Sequence, residues 1–102
     1  MAETESPRAS LLNEAKELIT GDRQNQYGPP TQDFSRTAEI LTAMGYRGPA
    51  GRLLVPHDIA LMVMAVKMSR LVWSPDKRDN WADMAGYAGC GYECTTEEFG
   101  NE

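Results

Sequence analysis

Reactive side chains are scarce in this sequence. It holds two cysteines and one histidine in 102 residues. On a helix, Cys90 and Cys94 would lie one turn apart, without the second pair or the histidines that a zinc site requires. They read as packed thiols, since cysteine is among the most often buried residue types. A lone histidine, His57, suits a capping or solvent-facing role better than catalysis. Long apolar runs are missing as well. The segment IALMVMAV, residues 59–66, is closed by Lys67, and a bilayer span needs roughly 20 such residues. No membrane is expected as a partner. The N-terminal MAETESPRAS has acids where a secretory signal has an apolar stretch, which gives the expectation of a cytoplasmic protein. Positive charge is also in short supply. Ten Lys plus Arg against fifteen Asp plus Glu leave a net charge of −5, which repels phosphate backbones at long range. Nucleic acid is therefore not an expected partner.

Hydrophobic residues at 41% and charged residues at 25% exclude disorder throughout. No segment alternates with period two for long enough to make a strand. Helical spacing is present instead. Ser6-Pro7 suits an N-cap followed by a first-turn proline, and Leu11, Leu12, Ala15, Leu18 and Ile19 repeat until Gly21, predicting a helix over 7–20. Thr31 can cap a second helix whose stripe is Phe34, Ala38, Leu41 and Met44, stopped by Gly45. YRGPAGR reads as a surface loop. Pro56 opens a third helix that runs to Trp73, apolar on almost every side except at Lys67, Ser69 and Arg70, and expected at the centre of the molecule. Ser74-Pro75 ends it and can cap a fourth helix over about 76–93. The fold class is all-α: a single four-helix, bundle-like domain over 7–94, with flexible ends at 1–6 and 95–102. A chain this short gains from oligomerisation.

The fourth helix carries Ala82, Ala85, Gly86, Ala88, Gly89 and Gly91. Glycine costs about 1 kcal/mol relative to alanine inside a helix, so this surface implies close approach of another helix. The neighbour is either helix three or the same helix of a second subunit.

Three groups of residues could carry chemistry. Lys67 and Arg70 share a helix face, and a cation among apolar residues needs an anion. That anion is either Asp79 or Asp83, or a ligand phosphate. Asp79 and Asp83, at i and i+4, could present carboxylates to Mg²⁺ together with Asp58, with Glu93 further along, although helix-dipole placement also explains acids at helix starts. The stretch DRQNQYGPP supplies a cation at Arg23, amides at Gln24, Asn25 and Gln26, a stacking face at Tyr27, and close backbone approach at Gly28. A plain helix connection is the competing reading.

Across residues 11–94, GDRQNQYGPPTQDF, VPHDIALMVMAVKMSRL and SPDKRDNWADMAGYAGCGYE resemble a small all-helical bacteriophage family of unknown function. The last stretch is also loosely similar to the final helices of MazG-like all-α nucleotide pyrophosphohydrolases. In those enzymes an acidic quartet holds Mg²⁺ against a nucleoside triphosphate. That resemblance implies Asp83 as the final aspartate. The glutamate expected three residues earlier is Asn80, and Lys67 and Arg70 stand where an acidic pair is expected. The leading expectation is thus a phage protein in the infected host's cytoplasm, a homo-oligomer that binds a small phosphorylated nucleotide without turnover. One such ligand is a signalling nucleotide withheld from host defence. Its site would comprise Arg23, Gln24, Asn25, Tyr27, Gly28, Lys67 and Arg70, with no cofactor and no catalytic residue. The alternatives are a Mg²⁺-dependent nucleoside-triphosphate pyrophosphohydrolase using Asp58, Asp79 and Asp83, and a structural or interaction bundle.

Overall fold

The computed structural model describes residues 5–21 and 26–100. They form α1 (Pro7–Thr20), α2 (Pro30–Ala43), a single 3-10 turn (Pro49–Gly51) in the surface loop, α3 (Pro56–Trp73) and α4 (Arg78–Phe99). Among the described residues there is no strand, and no helix is long and apolar enough to cross a membrane.

Local chemistry sets most of the boundaries. The Ser6 hydroxyl accepts from the Ala9 N–H at 3.2 Å, and Pro7 sits in the first turn of α1. α2 starts one residue before the expected Thr31 cap, because Pro30 takes the first helical position and Pro29 the cap. A proline there loses no hydrogen bond. At the other end of α2, the Arg47 guanidinium donates to the Thr42 and Tyr46 carbonyls at 3.0 and 2.8 Å. α3 opens at Pro56, with Asp58 accepting from the Val55 N–H at 2.8 Å.

α4 departs from expectation at both ends. Ser74 caps the end of α3, and Lys77, not Ser74, holds the N-cap of α4. Nothing in the sequence breaks the helix before Gly100, whose φ of +71° closes it. The helix therefore continues to Phe99, through most of what reads as a flexible acidic tail. The Glu98 carboxylate fixes this last turn by accepting from the His57 N–H at 2.9 Å and meeting the His57 ring at Nδ1.

The expected place of α3 at the centre is also corrected. Among the described helices, α4 is the element that packs against all three others, whereas α3 touches α4 and α2, and α1 touches α4. Gly91 explains the close α3–α4 approach, since a Cβ there would stand 2.9 Å from the Ala60 Cβ. Gly86 and Gly89 face Ile19 of α1, with Cβ positions 3.0 and 3.4 Å from its side chain. Glycines in α4 thus meet α3, as one expectation had it, and α1, which neither expectation named.

Side-chain pairs set the directions. Arg78 bonds Glu14 and Ser10 of α1, and Gly89 lies over Ile19, so α1 runs parallel to α4. Lys67 meets Asp83 and His57 meets Glu98, so α3 runs antiparallel to it. Phe34, Ala38, Leu54, Ile59, Ala60, Cys90 and Cys94 form the core where α2, α3 and α4 converge. The radius of gyration is 15.4 Å, with extents of 55 × 31 × 26 Å. A compact domain of this length has a radius near 13 Å. The molecule is elongated, and one face of α3 is left uncovered.

Candidate functional site

The last turn of α1, the start of α2 and the middle of α4 line a small open cavity of about 60 Å³. Each element contributes for a local reason. Leu18 and Ile19 end the apolar stripe of α1. Phe34 and Tyr87 form one wall, their ring centroids 6.1 Å apart at 30°. Gly86 leaves floor space that a side chain would fill. Tyr27 and Gly28 close the side nearest α2.

The position of Tyr27 and Gly28 has two visible supports. Gly28 holds φ at +84°, a left-handed conformation that side chains disfavour. The Arg36 guanidinium reaches back from α2 and donates to the Tyr27 carbonyl at 2.5 Å, while lying 3.8 Å from Asp33. Among the described residues, Asp33 and Asp83 are the carboxylates lining this otherwise mostly apolar cavity.

Asp83 connects the cavity to α3. Its Oδ2 is 2.9 Å from Lys67 Nζ, with the lysine side chain 16% and the aspartate 31% exposed. Lys67 therefore has the internal carboxylate partner that one reading expected, and that partner is itself on the cavity lining. Arg70 behaves differently. It is exposed, has no ion-pair partner among the described residues, and is one turn beyond Lys67.

The other expected residues are dispersed. Asp58 is buried at 6% exposure and grips Arg52 through both oxygens, at 2.7 and 2.9 Å. That guanidinium holds the Asp58 carboxyl below the usual carboxylate range, against burial, with the Val55 N–H assisting. Because His57 beside it meets Glu98, Asp58 lies level with the end of α4. Asp83 is 15 residues earlier on α4, about 22 Å along the axis at 1.5 Å per residue. Asp79 is exposed in the first turn of α4, and Glu93 is exposed further along. Among the described residues no three carboxylate, thiol or imidazole groups gather closely enough to hold a metal ion. Arg23, Gln24 and Asn25 lie outside the described residues.

Asp33, Phe34, Tyr87 and Cys90 line the pocket without standing out in the sequence. Phe34 reads as ordinary helix stripe, and Asp33 as a helix-dipole acid. Only the meeting of α2 with α4 makes them neighbours. Cys90 and Cys94 are buried as expected, and neither forms a disulfide; burial pushes the Cys94 thiol up to about 11.

A family model for a domain of unknown function, DUF6378, matches residues 10–95. The chain belongs to the DUF6378 family. It is also similar to the Gene 55 protein of Mycobacterium phage D29, 35% identical over 81 residues, covering 79% of this chain and 50% of that protein. The Gene 55 protein of Mycobacterium phage L5 is 34% identical over 80 residues, covering 78% and 49%. The chain spans about half the length of these curated relatives. No solved structure matches. The DUF6378 match and the phage relatives bear out the resemblance to a bacteriophage family of unknown function. The described lining residues of the cavity, from Leu18 through Cys90, all fall inside the matched segment.

Proposed function

We propose that this DUF6378 protein binds a small nucleotide, with the base in the cavity between α1, α2 and α4 and the phosphates directed outward over Lys67 toward Arg70. The observation that carries this reading is the Lys67–Asp83 pair, which places a cation beside a carboxylate of the cavity lining. The interior suits a base better than a phosphate. Tyr27, Phe34 and Tyr87 offer ring faces for stacking, and Asp33 and Asp83 can accept from ring N–H or exocyclic amino groups. The same two carboxylates repel phosphate, so the charged end belongs outside. There Arg70 supplies an exposed guanidinium for bidentate contact, while Lys67 offsets the charge of Asp83 between base and phosphate.

Retention without turnover fits the arrangement of the acids. Asp58 is occupied by Arg52 and is remote from Asp83, so the carboxylates needed for a shared Mg²⁺ are apart. A signalling nucleotide of host defence is a ligand class for which binding alone would be a sufficient activity.

Calorimetry with a panel of nucleotides, the matching nucleosides and inorganic phosphate tests the proposal. The nucleotide should bind most tightly and inorganic phosphate should bind poorly. Tyr27→Ala and Arg70→Ala should each weaken the nucleotide by about ten- to a hundredfold, the loss expected for a stacked ring or a charged hydrogen bond. For the nucleoside, Tyr27→Ala alone should matter. Equal binding by the wild type and both variants would place the site elsewhere. Analysis of the same mixtures for released pyrophosphate would reveal turnover.

A further inference from the structure

α3 presents a charge-free face to solvent. Residues 61, 62, 65, 66, 68, 69, 72 and 73 fall on one side of a helix with 3.6 residues per turn, and all are exposed. They are Leu, Met, Ala, Val, Met, Ser, Val and Trp. Trp73 is 89% and Val72 82% exposed, and Leu61, Met62, Val66 and Met68 lie between 41% and 58%. A solvated helix carries charge on its outer side; here the charges lie inward at Lys67 or at the margin at Arg70.

We infer that this face is covered by a second copy of the same chain, with the two α3 helices antiparallel about a two-fold axis at the level of residue 67. Three observations support self-association over another occupant. First, the face is self-complementary about its midpoint. A two-fold contact requires that residue i meet residue j while j meets i. With the axis at the level of residue 67, Ala65 meets the partner's Ser69 on the midline of the face, and the end that carries Leu61 and Met62 packs against the partner's end that carries Val72 and Trp73. The small Ala65 and Ser69 lie on the midline next to the crossing, where the helices are nearest, with Val66 and Met68 on the flanks and large side chains toward the ends. Second, the extent suffices. The six large side chains expose on the order of 700 Å², close to the roughly 800 Å² that each partner contributes to a standard interface. Third, the absence of charge gives nothing for an acidic or basic partner to read. A lipid surface calls for a rim rich in cations, which a chain of net charge −5 with a single marginal arginine lacks.

The test combines sedimentation with cross-linking on the full chain. The wild-type chain should sediment as a dimer or a multiple of it. Ala65→Glu and Val72→Glu, both at exposed positions, should halve the mass while retaining the helical circular dichroism spectrum. Under oxidation, the Ala65→Cys/Ser69→Cys double variant should form a covalent dimer, whereas Leu61→Cys alone should not, because antiparallel packing keeps the two copies of residue 61 apart. A wild-type monomer at every concentration overturns the inference. So does a dimer indifferent to both glutamates, or one that cross-links through Leu61→Cys alone. Should either glutamate variant unfold, the cross-linking pattern decides.

Discussion

α3 and α4 exchange the roles that their compositions suggest. α3 is the more hydrophobic helix, yet it leaves a whole apolar side in solvent. α4 is interrupted by glycines and carries fewer large apolar residues, yet it touches every other helix. The difference shows that centrality in a small helical domain can follow from how closely a backbone can be approached. Gly91 admits Ala60, and Gly86 and Gly89 admit Ile19. A helix with bulky residues at those positions could not serve both neighbours. Hydrophobicity that is not consumed within the chain, as on α3, points to contacts outside it.

The strongest challenge to this comparison is to fill the closest approach. Gly91→Leu places new volume where a Cβ would already lie 2.9 Å from another Cβ. It should cost about 3 kcal/mol, the upper end of the usual overpacking range, as measured by urea unfolding. Little loss would mean that α3 and α4 can separate freely, and that α4 is not the hub. Removing the partner of the buried Asp58 comes next. Arg52→Ala should lower the melting temperature at neutral pH by leaving a carboxylate without its guanidinium. In the wild type, Asp58 is held below the usual carboxylate range, so its contribution is complete above about pH 4 and is lost as pH falls through its folded-state value. Asp58→Asn should accordingly flatten the acid limb of the melting-temperature profile. An unchanged acid limb would show that other carboxylates set it.

A smaller effect separates the two cations of α3. Lys67→Met removes a partly buried ion pair and should cost about 1 kcal/mol, the upper end of the range for exposed pairs. Arg70→Ala, lacking an ion-pair partner among the described residues, should leave the stability of the ligand-free chain unchanged. Comparable losses would mean that Arg70 has a structural role. Smallest of all should be Val72→Ala on α3, which in a monomeric background such as Ala65→Glu should leave stability within about 0.5 kcal/mol, as for most surface changes.

Much of the architecture is legible in the sequence because it rests on local signals. Pro7 and Pro56 open α1 and α3, and Gly21 and Ser74-Pro75 close them at the expected residues. The end of α4 is not legible in this way. TTEEF has modest helix preference and places acids at the unfavourable end of the helix dipole, and the turn is fixed by His57, 41 residues away in sequence from Glu98. The candidate site divides similarly. Tyr27 and Gly28 stand out among their neighbours and do line the cavity. Phe34 and Tyr87 become a wall only when α2 and α4 meet, and Lys67 reaches the site only through Asp83. Spacing along one helix shows which face Lys67 and Arg70 share, but not which of them has a neighbour opposite.

The chain has two tryptophans, one on each helix of the comparison. Trp73 is 89% exposed on the open face of α3, whereas Trp81 of α4 is 45% exposed and donates its indole N–H to the Pro75 carbonyl at 2.7 Å. Acrylamide quenching of the Trp81→Phe variant, followed over a dilution series, isolates Trp73 and tests directly whether α3 is completed from outside the chain. Trp73 should be shielded and blue-shifted in concentrated protein, then become fully quenchable on dilution as the copies separate. The matching Trp73→Phe variant should report a Trp81 signal that does not change with concentration. Full quenching of Trp73 at every concentration would contradict the account, because the most apolar helix of the molecule would then remain half in water.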